Sequence, residues 1–169
     1  MKTVIFYLAA VLTANVVPLG AKVSERAQKI HDDAMVFDAH VHIINRQLAQ
    51  AGTIGTHYED GQVDLPRMEA GGYDALIFTI STSEKYYPAR FETKAALQVM
   101  DLALSEIDRY GDRIELARSA SDLDRITASG KIAAVIDLEG SIDLDGDLGV
   151  LRMFNRLGLS GLQLPAHNW

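Results

Sequence analysis

With 169 residues, 48% of them hydrophobic and 23% charged, and with Gly 13, Pro 4 and no cysteine, the chain is neither collagen-like, nor a disulfide-stapled miniprotein, nor a disordered polyampholyte. Lys+Arg 16 against Asp+Glu 23 give a net charge of −7, and the charges are scattered, which argues against a phosphate-tracking nucleic-acid surface. Without a thiol, any metal has to be held by imidazoles and carboxylates, so the five histidines carry the question of chemistry.

The chain opens with Met1-Lys2 and an apolar run over residues 4–12. That run is short for a membrane span, which takes about 20 residues, but it suits the core of a signal peptide, and Leu19-Gly20-Ala21 offers a small-residue cleavage site. Residues 1–21 are expected to be a signal peptide and 22–169 the mature segment, exported to the periplasm or the extracellular space, with no transmembrane span of its own.

Residues 22–33 read as a polar amphipathic helix with Val23, Ala27 and Ile30 on one side. Ala34-Met35-Val36-Phe37-Asp38 follows as a strand covered on both faces, delivering Asp38-Ala39-His40-Val41-His42 at its C-terminal end. Residues 45–63, with three glycines, read as loop. Asp64 can cap a short helix that has Pro66 in its first turn and stops at Gly71-Gly72. A second buried strand covers residues 74–80. Ala96, Met100, Ala103 and Ile107 mark a helix over 90–109 whose polar face carries Lys94, Asp101, Glu106 and Arg109. A short helix starting at Ser121 ends at Gly130, and a third strand over 131–140 ends on Asp137-Leu138-Glu139-Gly140. A helix over 148–157 and a fourth strand over 161–164 lead to Pro165-Ala166-His167-Asn168-Trp169.

Strands alternating with helices imply parallel pairing through right-handed crossovers. A doubly wound sheet would favour a glycine-rich turn after the first strand, where this chain has Asp38-Ala39-His40-Val41-His42. The pattern therefore points to an α/β chain of the (β/α)8 TIM-barrel type, which typically takes about 250 residues. Four βα units are expected here, as the N-terminal half of such a barrel.

In a barrel the strand ends meet at one rim, where active sites are built. His40 and His42, two residues apart, can face one ion above that rim. Glu139 follows a buried apolar run where an unpaired carboxylate is costly, so it calls for a partner: a cation held with the two imidazoles, or an Arg or Lys of a neighbouring strand. Asp137 reads as a structural acid or one standing behind the ligands, and Asp38 as a group that orients an imidazole or caps the loop. His31 and His57 are expected at the surface. His167 lies just past the fourth strand, where a substrate carbonyl would be polarised. Tyr86-Tyr87-Pro88-Ala89-Arg90 reads as a loop packed on its aromatics, or as a pocket wall.

These residues together resemble the membrane (renal-type) dipeptidase family of zinc metallopeptidases. The resemblance is carried in order by Phe37-Asp38-Ala39-His40-Val41-His42-Ile43-Ile44-Asn45-Arg46, Asp64-Leu65-Pro66-Arg67, Tyr87-Pro88-Ala89-Arg90-Phe91-Glu92, Asp137-Leu138-Glu139-Gly140 and Leu162-Gln163-Leu164 before His167-Asn168. It implies a (β/α)8 barrel with two Zn2+ ions that hydrolyses dipeptides through a metal-held hydroxide. His40 and His42 would bind the first zinc, where the family often has Asp at the second position. Glu139 would bridge both ions and take part in catalysis, and His167 would contact the substrate. Further histidine ligands of the second zinc, with a later Arg and Asp, belong to the second half of the family's barrel. The expected partner is a small dipeptide, with no nucleic acid and a possible homodimer. Two other readings stay open: another barrel metallohydrolase, such as an amidohydrolase or phosphoesterase, which also opens with His-x-His, and a non-catalytic fragment.

Overall fold

Parallel pairing is what the chain adopts. The computed structural model describes residues 23–44, 50–82 and 91–164; the expected signal peptide, the 86–90 segment and His167 lie outside the described residues. In chain order the elements are α1 (Glu25–Asp33), β1 (Phe37–Val41), α2 (Leu65–Ala70), β2 (Ala75–Ile80), α3 (Glu92–Arg109), β3 (Ile114–Leu116), α4 (Ala120–Ala128), β4 (Ile132–Glu139), a 3₁₀ turn (Ile142–Leu144), α5 (Leu148–Leu157) and β5 (Leu159–Gln163). The sheet runs β1-β2-β4, and the far edge of β4 is shared: β3 pairs with its first half and β5 with its second, all parallel. This is an α/β fold. The described sheet has five strands rather than the four expected, because β3 is three residues long and leaves no periodicity to read.

Register sorts the side chains. Thr79 lies beside Asp137 and Ile80 beside Leu138, so alternate residues of β2 and β4 share faces. Leu76, Phe78, Ile80, Ala134, Ile136 and Leu138 are buried in one cluster with Ala96, Met100, Ala103 and Ile107 of α3 and Phe154 of α5. On the opposite face, Ala75 and Ala133 at the N-terminal end are small enough to admit α4, whose Ile126 packs on them with Ala117. The C-terminal end of that face carries Thr79, Asp137 and Glu139. Side-chain caps hold four helix starts: Ser24 for α1, Asp64 for α2, Ser119 for α4 and Asp147 for α5, each accepting from a backbone N–H of the first turn.

Three expectations are corrected. The first strand begins at Phe37, not Ala34, because Val36 is already held by Asp74: its N–H donates to Asp74 Oδ2 at 2.7 Å, and the ladder starts at Phe37 beside Ala75. Nor is β1 covered on both faces. It has β2 as its one neighbour among the described residues, and Phe37 is 44% exposed. α1 likewise buries none of its residues, and Val23 and Ile30 stand in solvent. The third correction is Glu106, expected on the polar face of α3 but 1% exposed. Its carboxylate accepts from Thr53 Oγ1 at 2.5 Å and from the Ile54 N–H at 2.8 Å, and it pairs with Arg109 Nη1 at 2.7 Å. That bond set ties the irregular segment after residue 50 to α3. No helix among the described residues is long and apolar enough to cross a membrane.

Candidate metal centre

His40 lies within β1, and His42 follows directly after the strand. Between Asp38 beside Leu76 and Val41 beside Phe78, β1 uses three steps against two in β2, so it carries a bulge at the first histidine. Asp38 secures that bulge. Its Oδ1 accepts from the His40 N–H at 3.1 Å, and its Oδ2 accepts from Tyr73 Oη at 3.1 Å. Burial, and then the Asp38 carboxylate, push the Tyr73 phenol above its ordinary range, which keeps it a donor. Asp38 thus orients the backbone of His40 rather than an imidazole.

Glu139 ends β4 two strands away, and the fold brings it to the histidines. Its Oε2 lies 3.1 Å from His42 Nε2 and 3.9 Å from His40 Nε2, and the two Nε2 atoms are 3.0 Å apart. The imidazoles meet edge to face, with centroids 4.7 Å apart at 83°. The side chain of Glu139 is 14% exposed, those of His42 and His40 30% and 39%, so the carboxylate forms the floor and the rings the lip. Among the described residues these three form the one group whose ligand atoms converge within 4.8 Å.

The donor chemistry fits zinc. A ring nitrogen carries at most one proton and an ionised carboxylate none, so with neutral rings at least one of the short Nε2–Nε2 and Nε2–Oε2 contacts has no well-placed proton of its own. A cation accepts all three lone pairs at once, and two imidazoles with a carboxylate are a set that zinc takes readily. His42 Nδ1 is buried with no partner among the described residues.

Behind His40 lies a chain that single-residue reasoning missed. His40 Nδ1 is 3.0 Å from Gln163 Nε2 and 3.3 Å from Thr79 Oγ1, and Gln163 Nε2 donates to Asp137 Oδ2 at 2.7 Å. Asp137, 4% exposed, thus stands behind His40 with Gln163 between them. Gly161, in register with Asp137, makes the approach of β5 possible: a Cβ there would stand 2.7 Å from Asp137 Cβ. The one available signal was the Gly-x-Gln spacing in β5, which puts both residues on the face of Asp137 and Glu139. His57 is exposed, and His31 is exposed with Nε2 3.0 Å from the Gly71 carbonyl oxygen, so neither joins the site.

A second buried acid sits at the same end of the sheet, on the helix side. Asp143 is fully buried; its Oδ1 accepts from Thr82 Oγ1 at 2.5 Å, while Oδ2 has no hydrogen-bond partner among the described residues. Burial pushes its pKa up to about 6, the Thr82 hydrogen bond opposes this, and the nearby Glu92 adds to it. The folded state thus holds a proton that the unfolded chain has already released between about pH 4 and pH 6, so stability falls as pH rises through that window. Asp143→Asn is expected to stabilise the protein by roughly 1–3 kcal/mol at pH 7 and by nothing near pH 4. Thermal melts of both proteins across pH 4–8 check this, and parallel curves would exclude it.

Comparison with known proteins agrees with this geometry. A family model described as membrane dipeptidase (peptidase family M19) matches residues 24–168. Dipeptidase tcpJ of Claviceps purpurea (strain 20.1) is 32% identical over 108 residues, 59% of this chain and 25% of that protein. Dipeptidase verJ of Clonostachys rogersoniana is 36% identical over 77 residues, 45% of this chain and 20% of that protein. Among solved structures, a dipeptidase described as a metallopeptidase of the same family superposes with a TM-score of 0.68 at 24% identity, over 78% of this chain and 42% of that one. A metallopeptidase from Rhodobacter sphaeroides, liganded with a phosphinate mimic of L-Ala-D-Ala, gives 0.63 at 23% identity, over 76% and 44%. The chain spans less than half the length of each of these relatives. With a family match running from Ser24 to Asn168 across the bulge, the histidine pair and the glutamate, the chain belongs to the membrane dipeptidase family.

Proposed function

We propose that this chain carries the metal-binding side of a zinc-dependent dipeptidase site that hydrolyses the peptide bond of small dipeptides. The observation that carries the reading is the convergence of His40 Nε2, His42 Nε2 and Glu139 Oε2 at one rim of the sheet. These three residues would hold the ion. Zinc bound there supplies Lewis acidity and lowers the pKa of a water from 15.7 towards about 7. The protein's own part is geometric and electrostatic. Asp38 fixes the backbone of His40 through the bulge, and Glu139 brings the negative charge that lets a dication rest between two neutral rings. The partial exposure of the histidines leaves an approach for a substrate carbonyl.

In this reading the sheet is part of the wall of a (β/α)8 barrel, and Glu139 would also help hold a second ion, whose other ligands would come from the rest of that barrel. His167 contacts the substrate, residues 1–21 direct export, and the protein works outside the cytoplasm. The relatives described as dipeptidases support the substrate class. The test is amino-acid release from a panel of dipeptides before and after chelation. Hydrolysis should disappear on dialysis against a chelator and return with added zinc. Hydrolysis that is unchanged after complete metal removal, or absent for every dipeptide in the zinc-loaded protein, would overturn the proposal.

A further inference from the structure

We propose that Gln163, its amide aimed by Asp137, is a positioning residue that decides which nitrogen of His40 bears the proton and thereby sets the zinc affinity of the centre. The inference rests on the zinc reading above and concerns residues that lie behind the ligands.

Gln163 Nε2 sits between two groups. Asp137 Oδ2, at 2.7 Å, takes one of its hydrogens, which turns the amide nitrogen, not the oxygen, towards His40. The second hydrogen then faces His40 Nδ1 at 3.0 Å. An Nδ1 that accepts places the ring proton of a neutral imidazole on Nε2. Nε2 is the atom that points at His42 and Glu139, so the arrangement holds His40 in the tautomer that cannot offer a lone pair to a cation. To ligate zinc through Nε2, the neutral ring would have to carry its proton on Nδ1 instead, where Thr79 Oγ1 at 3.3 Å could accept it and the Gln163 donor would oppose it. The three partners come from three strands and are brought together by register: Thr79 beside Asp137, Asp137 beside Gly161, and Glu139 beside Gln163. Metal-ligating histidines ordinarily donate their second nitrogen to a carboxylate or carbonyl, and changing such an outer partner alters metal affinity by about 10–100-fold. Here an amide donor occupies that place, so the affinity is held below what the same ligands could reach.

The experiment exchanges the two groups without changing net charge. In the double variant Asp137→Asn with Gln163→Glu, a carboxylate faces His40 Nδ1 and an amide faces the carboxylate from behind. Zinc affinity, measured by competition with a chromophoric chelator, should tighten by about 10–100-fold relative to the parent. An affinity within twofold of the parent, or a weaker one, overturns the proposal. Nitrogen-15 NMR of the zinc-free parent at pH 8 gives an independent readout that holds even if the double variant does not fold. His40 should carry its proton on Nε2, and a proton on Nδ1 overturns the proposal. Failure of the zinc reading looks different: the parent, like Glu139→Ala, would then bind no zinc at all.

Discussion

On the proposed zinc dipeptidase reading, replacing Glu139 with alanine should strip the metal and abolish dipeptide hydrolysis. Of the three converging groups it is the only carboxylate, with Oε2 3.1 Å from His42 Nε2 and 3.9 Å from His40 Nε2. Two neutral rings at a partly open rim hold a dication poorly. Loss of a direct ligand should exceed the 10–100-fold cost typical of an outer partner, so zinc affinity should fall by at least about 100-fold. The effect can be separated from misfolding. Zinc present at 100 times its Kd should stabilise the parent by about 2.7 kcal/mol, whereas Glu139→Ala should melt at the same temperature with and without the metal. Glu139→Gln, which keeps the shape and one oxygen but not the charge, should fall between. Elemental analysis showing the parent's zinc content in Glu139→Ala would defeat the assignment.

That His40, His42 and Glu139 converge was legible because it is a matter of residue type at strand ends. An apolar run that stops on His-x-His, and another that stops on Glu, each announce a polar group at the end of a buried strand, and parallel topology places such ends at one rim. What surrounds them was not legible. Gln163 reaches His40 over 123 positions of sequence, through a register set by pairing and by the space that Gly161 leaves. The bulge in β1 is invisible for the same reason. It is a mismatch between two strands, and neither sequence alone contains it. β1 also shows where an apolar run misleads. Residues 34–36 have the composition of a strand, yet the ladder is set by where β2 starts, and Asp74 has claimed Val36 first. Asp143 offered no signal either, since its burial comes from the packing of the 3₁₀ turn on α3, and its Thr82 partner lies past the end of β2.

Glu106 carries the second large effect, at the other end of the sheet. α3 runs antiparallel to the strands, so this glutamate near its C-terminal end lies by the N-terminal ends of β3 and β4, remote from the metal centre. Periodicity assigns it to the solvent face of α3, because helical patterning registers what a helix buries against its sheet and not what a loop lays over its back. The segment after residue 50 does that here. Its Ile54 is 1% exposed, its Gly55 leaves room for the Tyr110 ring, and the Ile54 N–H and Thr53 hydroxyl end on the Glu106 carboxylate. Glu106→Ala removes the acceptor for both. Charge-assisted hydrogen bonds contribute about 1.5–3 kcal/mol each. A loss near 3 kcal/mol is expected, with Glu106→Gln, which keeps an acceptor oxygen, losing about half of that. Urea unfolding measures the loss, hydrogen exchange at Ile54 should quicken in step with it, and zinc affinity should not move. A Glu106→Ala protein as stable as its parent would mean that solvent replaces the carboxylate freely and that the loop is not anchored by this residue.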